Sequence, residues 1–239
     1  MTYIIDKLLD NVIGLAIGSI LTFILTNRKN IKTRFKAWRL GNKKIRMSLS
    51  YLFQIKDNGK FLLIHGKRIQ QYQPIGGVYK YYDTFNNVKQ DLEVSDESNE
   101  HFFEEADLRI EAPAKNIMKI LEWFKTRKNR EITVIREFIE EIIEPGLLDI
   151  EDLKDIRFEY INTKETGLRY SPYFKMDEFL SYDVFKVTLP ERLMEKLKKN
   201  AACNSKFFWA SQNDIDTKNT YINGQAVKIG EHAKYITTC

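Results

Sequence analysis

The sequence predicts an α/β protein in which a mixed-sheet domain with flanking helices follows a single transmembrane helix. The first observation is a 19-residue segment, Leu8–Thr26, in which Asp10 is the one charged residue. The second is a pair of short runs rich in Leu, Ile, Phe and Tyr, joined by a tight-turn sequence. The third is a set of later segments whose apolar residues recur at helical spacing.

The N-terminal segment is long enough to cross a bilayer, because a helix of this length at ~1.5 Å per residue spans roughly the ~30 Å hydrocarbon core. Nine Lys and Arg residues and no acidic residue lie between Arg28 and Arg46, and basic flanks are retained on the cytoplasmic side. We therefore expect a transmembrane helix over residues 1–27 with its N-terminus outside. A basic juxtamembrane connector over 28–46 would contact anionic lipid, and residues 47–239 would form a cytoplasmic domain.

Small residues form a stripe in the membrane segment. Gly14, Gly18, Thr22 and Thr26 recur at every fourth position, so they share one face of the predicted helix. Such a face lets two membrane helices approach closely. The stripe predicts self-association into a homo-oligomer through Gly14 and Gly18, although glycine is also frequent in membrane helices generally.

The positive charge of the chain is local. The formal net charge is +5, but the part from residue 47 onwards contains 28 basic and 31 acidic residues. Proteins that bind duplex nucleic acid spread positive charge over the docking surface, so the composition argues against duplex nucleic acid as a partner. The two cysteines, Cys203 and Cys239, do not support a disulfide framework and fit a reducing compartment.

The cytoplasmic part begins with a predicted β-hairpin. Ser48–Ile55 and Lys60–His65 have the composition of strands, and Asp57-Asn58-Gly59 between them is a strong hairpin signal. A polar loop over Arg68–Pro74 is expected to follow. It leads into Gly76-Gly77 and a further extended segment.

The remaining elements follow from hydrophobic period and from turn residues. Residues 83–130 form a predicted insertion, with an acidic surface portion and one helix over Ala114–Arg127. A second helix over Glu131–Glu144 has apolar residues on one side and glutamates on the other, and Pro145-Gly146 ends it. Three further strands and an amphipathic helix are predicted at Arg157–Asn162, Tyr182–Thr188, Lys206–Ala210 and Pro190–Lys199.

The glycine pair and the second helix resemble the signature of the Nudix family. That signature runs from a glycine through a spaced glutamate to R-E-U-x-E-E-x-G-U, where U is a bulky aliphatic residue, and this chain has REFIEE from Arg136 to Glu141. The resemblance covers roughly residues 47–236 and implies a Nudix-like fold. In an active member, Glu137, Glu140 and Glu141 would be catalytic and would together bind Mg²⁺ beside a diphosphate.

Three departures from the signature weaken the case for hydrolysis. There are 58 residues between Gly77 and Arg136, where the signature has a short spacer. Lys128 stands where the first glutamate belongs, and a cation there competes with a divalent metal ion. Ile143 replaces the glycine after the glutamate pair. We therefore expect a domain that requires no cofactor, with Mg²⁺ needed only if it is a hydrolase.

A transmembrane helix, a basic connector and a Nudix-like domain with a long insertion together resemble the SMODS-associated Nudix-like group. Members of that group are predicted membrane effectors of bacterial cyclic-oligonucleotide-based antiphage signalling (CBASS). The resemblance implies that the domain senses a cyclic di- or trinucleotide, and that binding causes oligomerisation and disruption of the bacterial inner membrane. The alternatives are a membrane-anchored, Mg²⁺-dependent Nudix hydrolase of nucleoside diphosphate derivatives and a scaffold that binds a protein partner.

Residues on either side of the glycine pair are candidates for binding such a ligand. Arg68, Gln73 and Lys80 can contact phosphates, and Tyr79 and Tyr81 can stack on bases. Alternate tyrosines also pack against neighbours in ordinary sheets. The pattern thus fits either a ligand site or a sheet.

Arg136 completes the predicted ligand-binding set. The resemblance implies that this arginine holds the helix carboxylates in place by a salt bridge. The glutamate row can equally be the solvated face of an amphipathic helix. Tyr170 and Tyr173 are weaker candidates for the far side of the pocket.

Overall fold

The structure is a computed structural model, and it describes residue 28 and residues 30–99, 104–222 and 224–237. The predicted transmembrane helix over residues 1–27, with Gly14 and Gly18, lies outside these residues. Among the described residues, no helix is both long enough and apolar enough to cross a bilayer.

The described residues form strands and helices of the following bounds. The strands are β1 (Lys44–Gln54), β2 (Lys56–Asp57), β3 (Lys60–His65), β4 (Tyr72–Pro74), β5 (Gly76–Val78), β6 (Ser95–Asp96), β7 (Arg109–Pro113), β8 (Arg157–Glu165), β9 (Arg169–Ser171), β10 (Met176–Thr188), β11 (Phe207–Ala210), β12 (Asn219–Ile222) and β13 (Gln225–Lys228). The helices are α1 (30–40), α2 (Asn86–Asp91), α3 (Ile117–Lys125), α4 (Ile135–Phe138), α5 (Glu191–Ala202) and α6 (Gln212–Thr217). Short 3₁₀ turns cover Asp83–Phe85, Ala114–Asn116, Ile150–Asp155 and Glu231–Ile236, and a π-helical turn covers Ile139–Ile143.

β1 lies at the centre of the main sheet. β10 pairs with it in parallel, and β7 pairs with its first residues antiparallel on the other side. The strand order is β6-β7-β1-β10-β8, with β5 on the second half of β1 and β9 on the start of β10. The sheet is therefore mixed, and the predicted α/β class with a mixed sheet is confirmed.

A smaller sheet, in the order β11-β3-β2 with β4 on β3, packs against part of the main sheet. The predicted turn joins β2 to β3, and Asn58 and Gly59 have φ angles of 45° and 77°. A two-residue hairpin turn of this kind requires two left-handed residues, and Asn-Gly supplies them most easily. Leu52 and Val184 of the main sheet share one apolar cluster with Phe61 and other residues of the smaller sheet.

β1 is buried on both faces along almost its whole length. Because side chains alternate between the two faces of a strand, each face has its own composition. The face covered by α3, α4 and α5 is apolar: Ile45, Met47, Leu49, Tyr51 and Phe53. The opposite face begins with Arg46, Ser48 and Ser50 and becomes apolar at Leu52.

α1 is fixed to the domain at the start of β10. Thr33 and Ala37 are buried against it. The Lys36 ammonium donates to Asp177 at 2.8 Å and to the Leu168 carbonyl at 3.2 Å. The ammonium groups of Lys36 and Lys43 hold the pKa of the Asp177 carboxyl below its usual value. The helix therefore has a defined orientation relative to the sheet.

Several elements differ from the sequence-based expectation. β8 ends at Glu165 rather than Asn162, and β10 begins at Met176 rather than Tyr182. β1 begins at Lys44 rather than Ser48, because its first residues pair with β7. β7 itself lies in the predicted insertion but belongs to the main sheet. β4 occupies the end of the expected polar loop. α4 begins at Ile135 rather than Glu131, because the Glu131 amide donates to the Lys80 carbonyl instead of entering the helix.

Candidate ligand-binding site

Two adjoining cavities lie over the polar face of β1. The first, of about 270 Å³, is bounded by Ser48, Ser50, Gly76-Gly77 and the loop after β3. The second, also of about 270 Å³, extends toward β9 and the 3₁₀ turn Glu231–Ile236. The two form one cleft, since they share the lining residues Arg46, Ser48, Ile69, Gln73, Tyr182 and His232.

Basic side chains predominate in the first cavity. Its basic lining residues are Arg46, Lys67, Arg68 and Arg109, and its acidic lining residues are Glu104 and Glu141. Arg68 forms an ion pair with Glu104 at the edge of the cavity. The surplus of positive charge suits an anionic ligand.

Arg46 lies at the junction of the two cavities and is 6% exposed. Its guanidinium donates to both oxygens of Glu97, at 2.9 and 3.1 Å, and to Glu178 at 3.4 Å. The guanidinium carbon lies 4.0 Å from the centre of the Phe174 ring. Two carboxylates and an aromatic face thus fix the orientation of this arginine.

Arg109 contributes a second, partly buried guanidinium, which contacts the Asp107 carboxylate at 2.6 Å. Burial raises the pKa of Asp107 to about 7, although the positive charge of Arg109 opposes this effect. Burial also lowers the pKa of Arg109 from its usual value. A carboxyl group that titrates near neutral pH therefore contacts Arg109, although Asp107 itself does not line the cavity.

Aromatic rings form one wall of the second cavity. The rings of Tyr182 and His232 stack with centroids 5.9 Å apart and planes 5° apart, and Tyr235 packs on Tyr182 at 5.4 Å. Burial lowers the pKa of His232 to about 4, so its ring is neutral at pH 7. Tyr173 and Phe174 also line this cavity. Neutral stacked rings of this kind can support a planar base.

The glycine pair allows close packing at the mouth of the cleft. A Cβ atom on Gly76 would lie 2.2 Å from the Tyr51 carbonyl oxygen, and one on Gly77 would lie 2.0 Å from the Glu137 carboxyl carbon. Gly76 also has a φ of 148°, in a region that favours glycine. A side chain at Gly76 would push β5 away from β1, and one at Gly77 would displace the Glu137 carboxylate.

The π-helical turn sets the direction of the glutamates. The Glu144 amide donates to the Ile139 carbonyl, which inserts an extra residue into the turn. Glu141 consequently accepts a hydrogen bond from the Gly76 amide at 3.1 Å. Burial raises the pKa of Glu141 to about 8, and the Gly76 hydrogen bond only partly opposes the shift. At neutral pH this side chain is therefore mostly protonated.

Arg136 connects the other carboxylates. Its guanidinium contacts Glu131 at 3.3 Å, Glu137 at 2.7 Å and Glu140 at 3.3 Å. It also donates to the Val78 carbonyl at 2.9 Å. The arginine thus ties α4 to β5 through the Val78 carbonyl, and it holds three carboxylates from residues 131–140 together.

In this structure the glutamates of the signature segment have protein partners. The guanidinium of Arg136 lies between Glu137 and Glu140. Glu141, whose pKa is raised, accepts a hydrogen bond from a backbone amide. In the described part of the chain, no three His, Cys, Asp or Glu side chains converge closely enough to bind a metal ion. The carboxylates act here as acceptors within a packed network.

The structure separates the predicted ligand-binding residues into two groups. Arg68 and Gln73 line the cleft. Tyr79 lies on the helix-covered face, where its hydroxyl donates to Asp183 at 2.9 Å. Tyr81 donates to Asp96 at 2.8 Å. Lys80 and Arg136 do not line either cavity of the cleft.

Several lining residues were missed by sequence reasoning. Arg46, Ser48 and Ser50 alternate with apolar residues in β1, and this period-two polar pattern was a usable signal. Arg109 gave no local signal, because its place beside Arg46 depends on the pairing of β7 with β1. Glu131 does not line the cleft, but its contact with Arg136 was also missed, because it stands five residues before Arg136 rather than at the signature position.

The sequence matches one protein family, described as the SMODS-associated NUDIX domain, over residues 44–237. No curated protein and no solved structure matches the chain. The matched range begins at the first residue of β1 and includes the whole cleft.

Proposed function

Because this match covers most of its length, the chain belongs to the SMODS-associated NUDIX domain family, and we propose that it is a bacterial antiphage (CBASS) effector that binds a cyclic oligonucleotide. In this proposal a cyclic di- or trinucleotide occupies the two-part cleft. Binding drives oligomerisation of chains that are anchored in the inner membrane with the domain on the cytoplasmic side, and the assembly disrupts that membrane.

The observation that carries the proposal is that basic side chains predominate at one end of the cleft and aromatic side chains at the other, with Arg46, Tyr182 and His232 shared by both cavities. Phosphates would contact the first cavity, where Arg68 and Lys67 line the same surface as Arg46 and Arg109. A base would stack in the second, on the Tyr182–His232 wall. A ligand with alternating phosphates and bases matches both cavities at once, and each stacked base contributes ~1–3 kcal/mol.

The carboxylate network supports binding over hydrolysis. Hydrolysis by a Nudix domain needs carboxylates that are directed at a metal ion. Here Glu141 accepts from the Gly76 amide, and Lys128 stands in place of the first glutamate of the signature. The same network stabilises the wall of the cleft, which is the role expected in a sensor.

Signal transfer requires only that the ligand favour the associated state. A ligand that binds the associated state ~10⁴-fold more tightly than the resting state would shift the equilibrium between them almost completely. Chains tethered in one membrane have a raised effective concentration, so weak contacts between domains suffice.

The test is calorimetric titration of the full-length chain in detergent with a panel of cyclic di- and trinucleotides, with Mg²⁺ and with chelator. We expect one member to bind equally in both conditions and to be recovered uncleaved. Arg68→Ala should weaken binding at least about tenfold, because a charge-assisted hydrogen bond is lost. Tyr81→Phe is the matched control, since its hydroxyl contacts Asp96 outside the cleft, and it should leave affinity unchanged.

Two outcomes would contradict the proposal. The first is equal binding of ligand by the wild-type chain and Arg68→Ala, which would place the ligand elsewhere. The second is Mg²⁺-dependent turnover of a nucleoside diphosphate derivative that Glu140→Gln abolishes, which would establish the hydrolase instead.

A further inference from the structure

The exposed side of α1 carries an apolar stripe. Ile31, Phe35 and Trp38 are spaced by four and three residues, which places them on one side of a helix. Phe35 is 63% exposed and Trp38 75% exposed. Their ring centroids lie 5.9 Å apart, so the two side chains form one continuous apolar surface.

Basic residues border the stripe on both sides. At about 100° per residue, Arg34 falls on one side of the stripe, and Lys32 and Arg39 fall on the other. All three are exposed, and no acidic residue occurs between residues 28 and 46. An aromatic centre with basic borders is the pattern of a helix that lies in the surface of an anionic bilayer, where long basic side chains extend to the headgroups.

The opposite side of α1 prevents the stripe from turning inward. Thr33 and Ala37 are small and buried against the domain. Lys36 is held by Asp177 at 2.8 Å, and Lys43, just after the helix, contacts the same carboxylate at 2.9 Å. Since these contacts fix the rotation of the helix, the stripe faces away from the domain.

We propose that the Ile31–Phe35–Trp38 face of α1 is a docking surface for an anionic lipid bilayer. The aromatic rings enter the boundary between headgroups and acyl chains, and Lys32, Arg34 and Arg39 contact lipid phosphates. The docked helix holds the domain at one orientation to the membrane. The inference deepens the proposed function and rests on it only in placing the chain at a membrane.

Charge distinguishes lipid from a second copy of this chain as the occupant. In a symmetric pair of α1 helices, the same patch would meet itself. The arginines that border one stripe would then lie beside those of the other, and like charges across an interface are unfavourable. An anionic surface neutralises the same residues and contributes about fivefold in affinity for each basic residue near it.

The test is fluorescence of the full-length chain reconstituted in vesicles of equal parts phosphatidylcholine and phosphatidylglycerol, with the lipids brominated near the headgroup end of the acyl chain. The emission of the wild-type chain minus that of Trp38→Phe gives the signal of Trp38 alone, because both chains contain Trp123 and Trp209. The matched control is Trp38→Phe with Tyr221→Trp, because Tyr221 is 76% exposed and lies on the β12–β13 hairpin. We expect brominated lipid to quench Trp38 and not the control tryptophan.

Removal of charge supplies a second readout. In vesicles of brominated lipid, the double variant Arg34→Gln, Arg39→Gln should recover much of the Trp38 emission. Aqueous iodide should then quench Trp38 again. Replacement of phosphatidylglycerol by phosphatidylcholine should have the same effect. Both changes leave the residues of the cleft unaltered, so the ligand should still bind.

The outcomes separate this inference from the proposed function. A chain that floats with vesicles while Trp38 stays insensitive to brominated lipid overturns the inference alone. Protection of Trp38 from iodide that grows with protein density, without quenching by brominated lipid, assigns the face to a second copy and also overturns it. A chain that does not float overturns the membrane part of the proposed function together with the inference.

Discussion

The two faces of β1 are both buried but have opposite chemistry. On the helix-covered face, the Phe53 ring packs on the rings of Phe138 and Phe158, each at a centroid distance of 5.7 Å. On the cleft face, Arg46 is almost as buried but contacts Glu97 and Glu178. One face stabilises the domain by excluding water from apolar surface. The other must offset the desolvation of charges with ion pairs, and a polar face of this kind is retained at some cost in stability.

The first prediction tests whether the helix-covered face carries most of the stability. Phe53→Ala should lower the free energy of unfolding by about 4 kcal/mol, because it leaves a cavity among packed rings. Ser50→Ala, three positions away on the cleft face, loses only the hydroxyl contact with Ser48 at 2.9 Å and should cost about 1 kcal/mol. Chemical denaturation measures both. Equal losses would show that the two faces do not differ in this way.

The second prediction sharpens the contrast from the cleft side. Arg46→Met should lower the free energy of unfolding by about 3 kcal/mol, because it leaves buried carboxylates without their partner. Adding Glu97→Gln should recover part of the loss, since the neutral amide no longer carries an unpaired charge. Lys44→Met at the exposed start of the strand is the control and should change stability by less than about 0.5 kcal/mol. No recovery in the double variant would mean that Arg46 acts by packing alone.

Elements that depend on local sequence were predicted well. β3 has the predicted bounds, and the Asn58-Gly59 turn has the expected left-handed geometry. α3 and α5 lie within three residues of their predicted ends because their apolar period and flanking prolines are local signals. The match to the SMODS-associated family confirms the predicted Nudix-like domain. That prediction rested on the order of segments and on half of a signature.

The cleft could not be predicted from local sequence. Its basic cavity needs β7 and β10 on either side of β1, and those pairings join residues more than 60 positions apart. The π-helical turn changes the direction of Glu141, although the helical period of its sequence is regular. Tyr79 and Tyr81 looked equivalent in sequence, but one hydroxyl meets Asp183 and the other Asp96.

The third prediction concerns the pH dependence of the contrast. The folded-state pKa of Glu141 is raised to about 8, so its protonated form contributes stability below its unfolded pKa of about 4.5. That contribution should be lost progressively as the pH rises from about 4.5 to about 8, the interval in which the folded state keeps a proton that the unfolded state has released. Denaturation across this range should show the loss in the wild-type protein and a flatter profile in Glu141→Gln. A profile unchanged by the substitution would assign the titration to another group, such as Asp107.

The start of β10 links the cleft to α1 through two consecutive residues. Asp177 binds Lys36 of α1, and the next residue, Glu178, binds Arg46 in the cleft. Consecutive side chains of a strand face opposite sides, so one short stretch of backbone serves two separate contacts. Thermodynamic reciprocity then applies: if a ligand that displaces Arg46 alters how α1 sits on a membrane, the membrane must alter ligand affinity by the same factor. The ratio of ligand affinity in vesicles to that in detergent would then measure the same coupling.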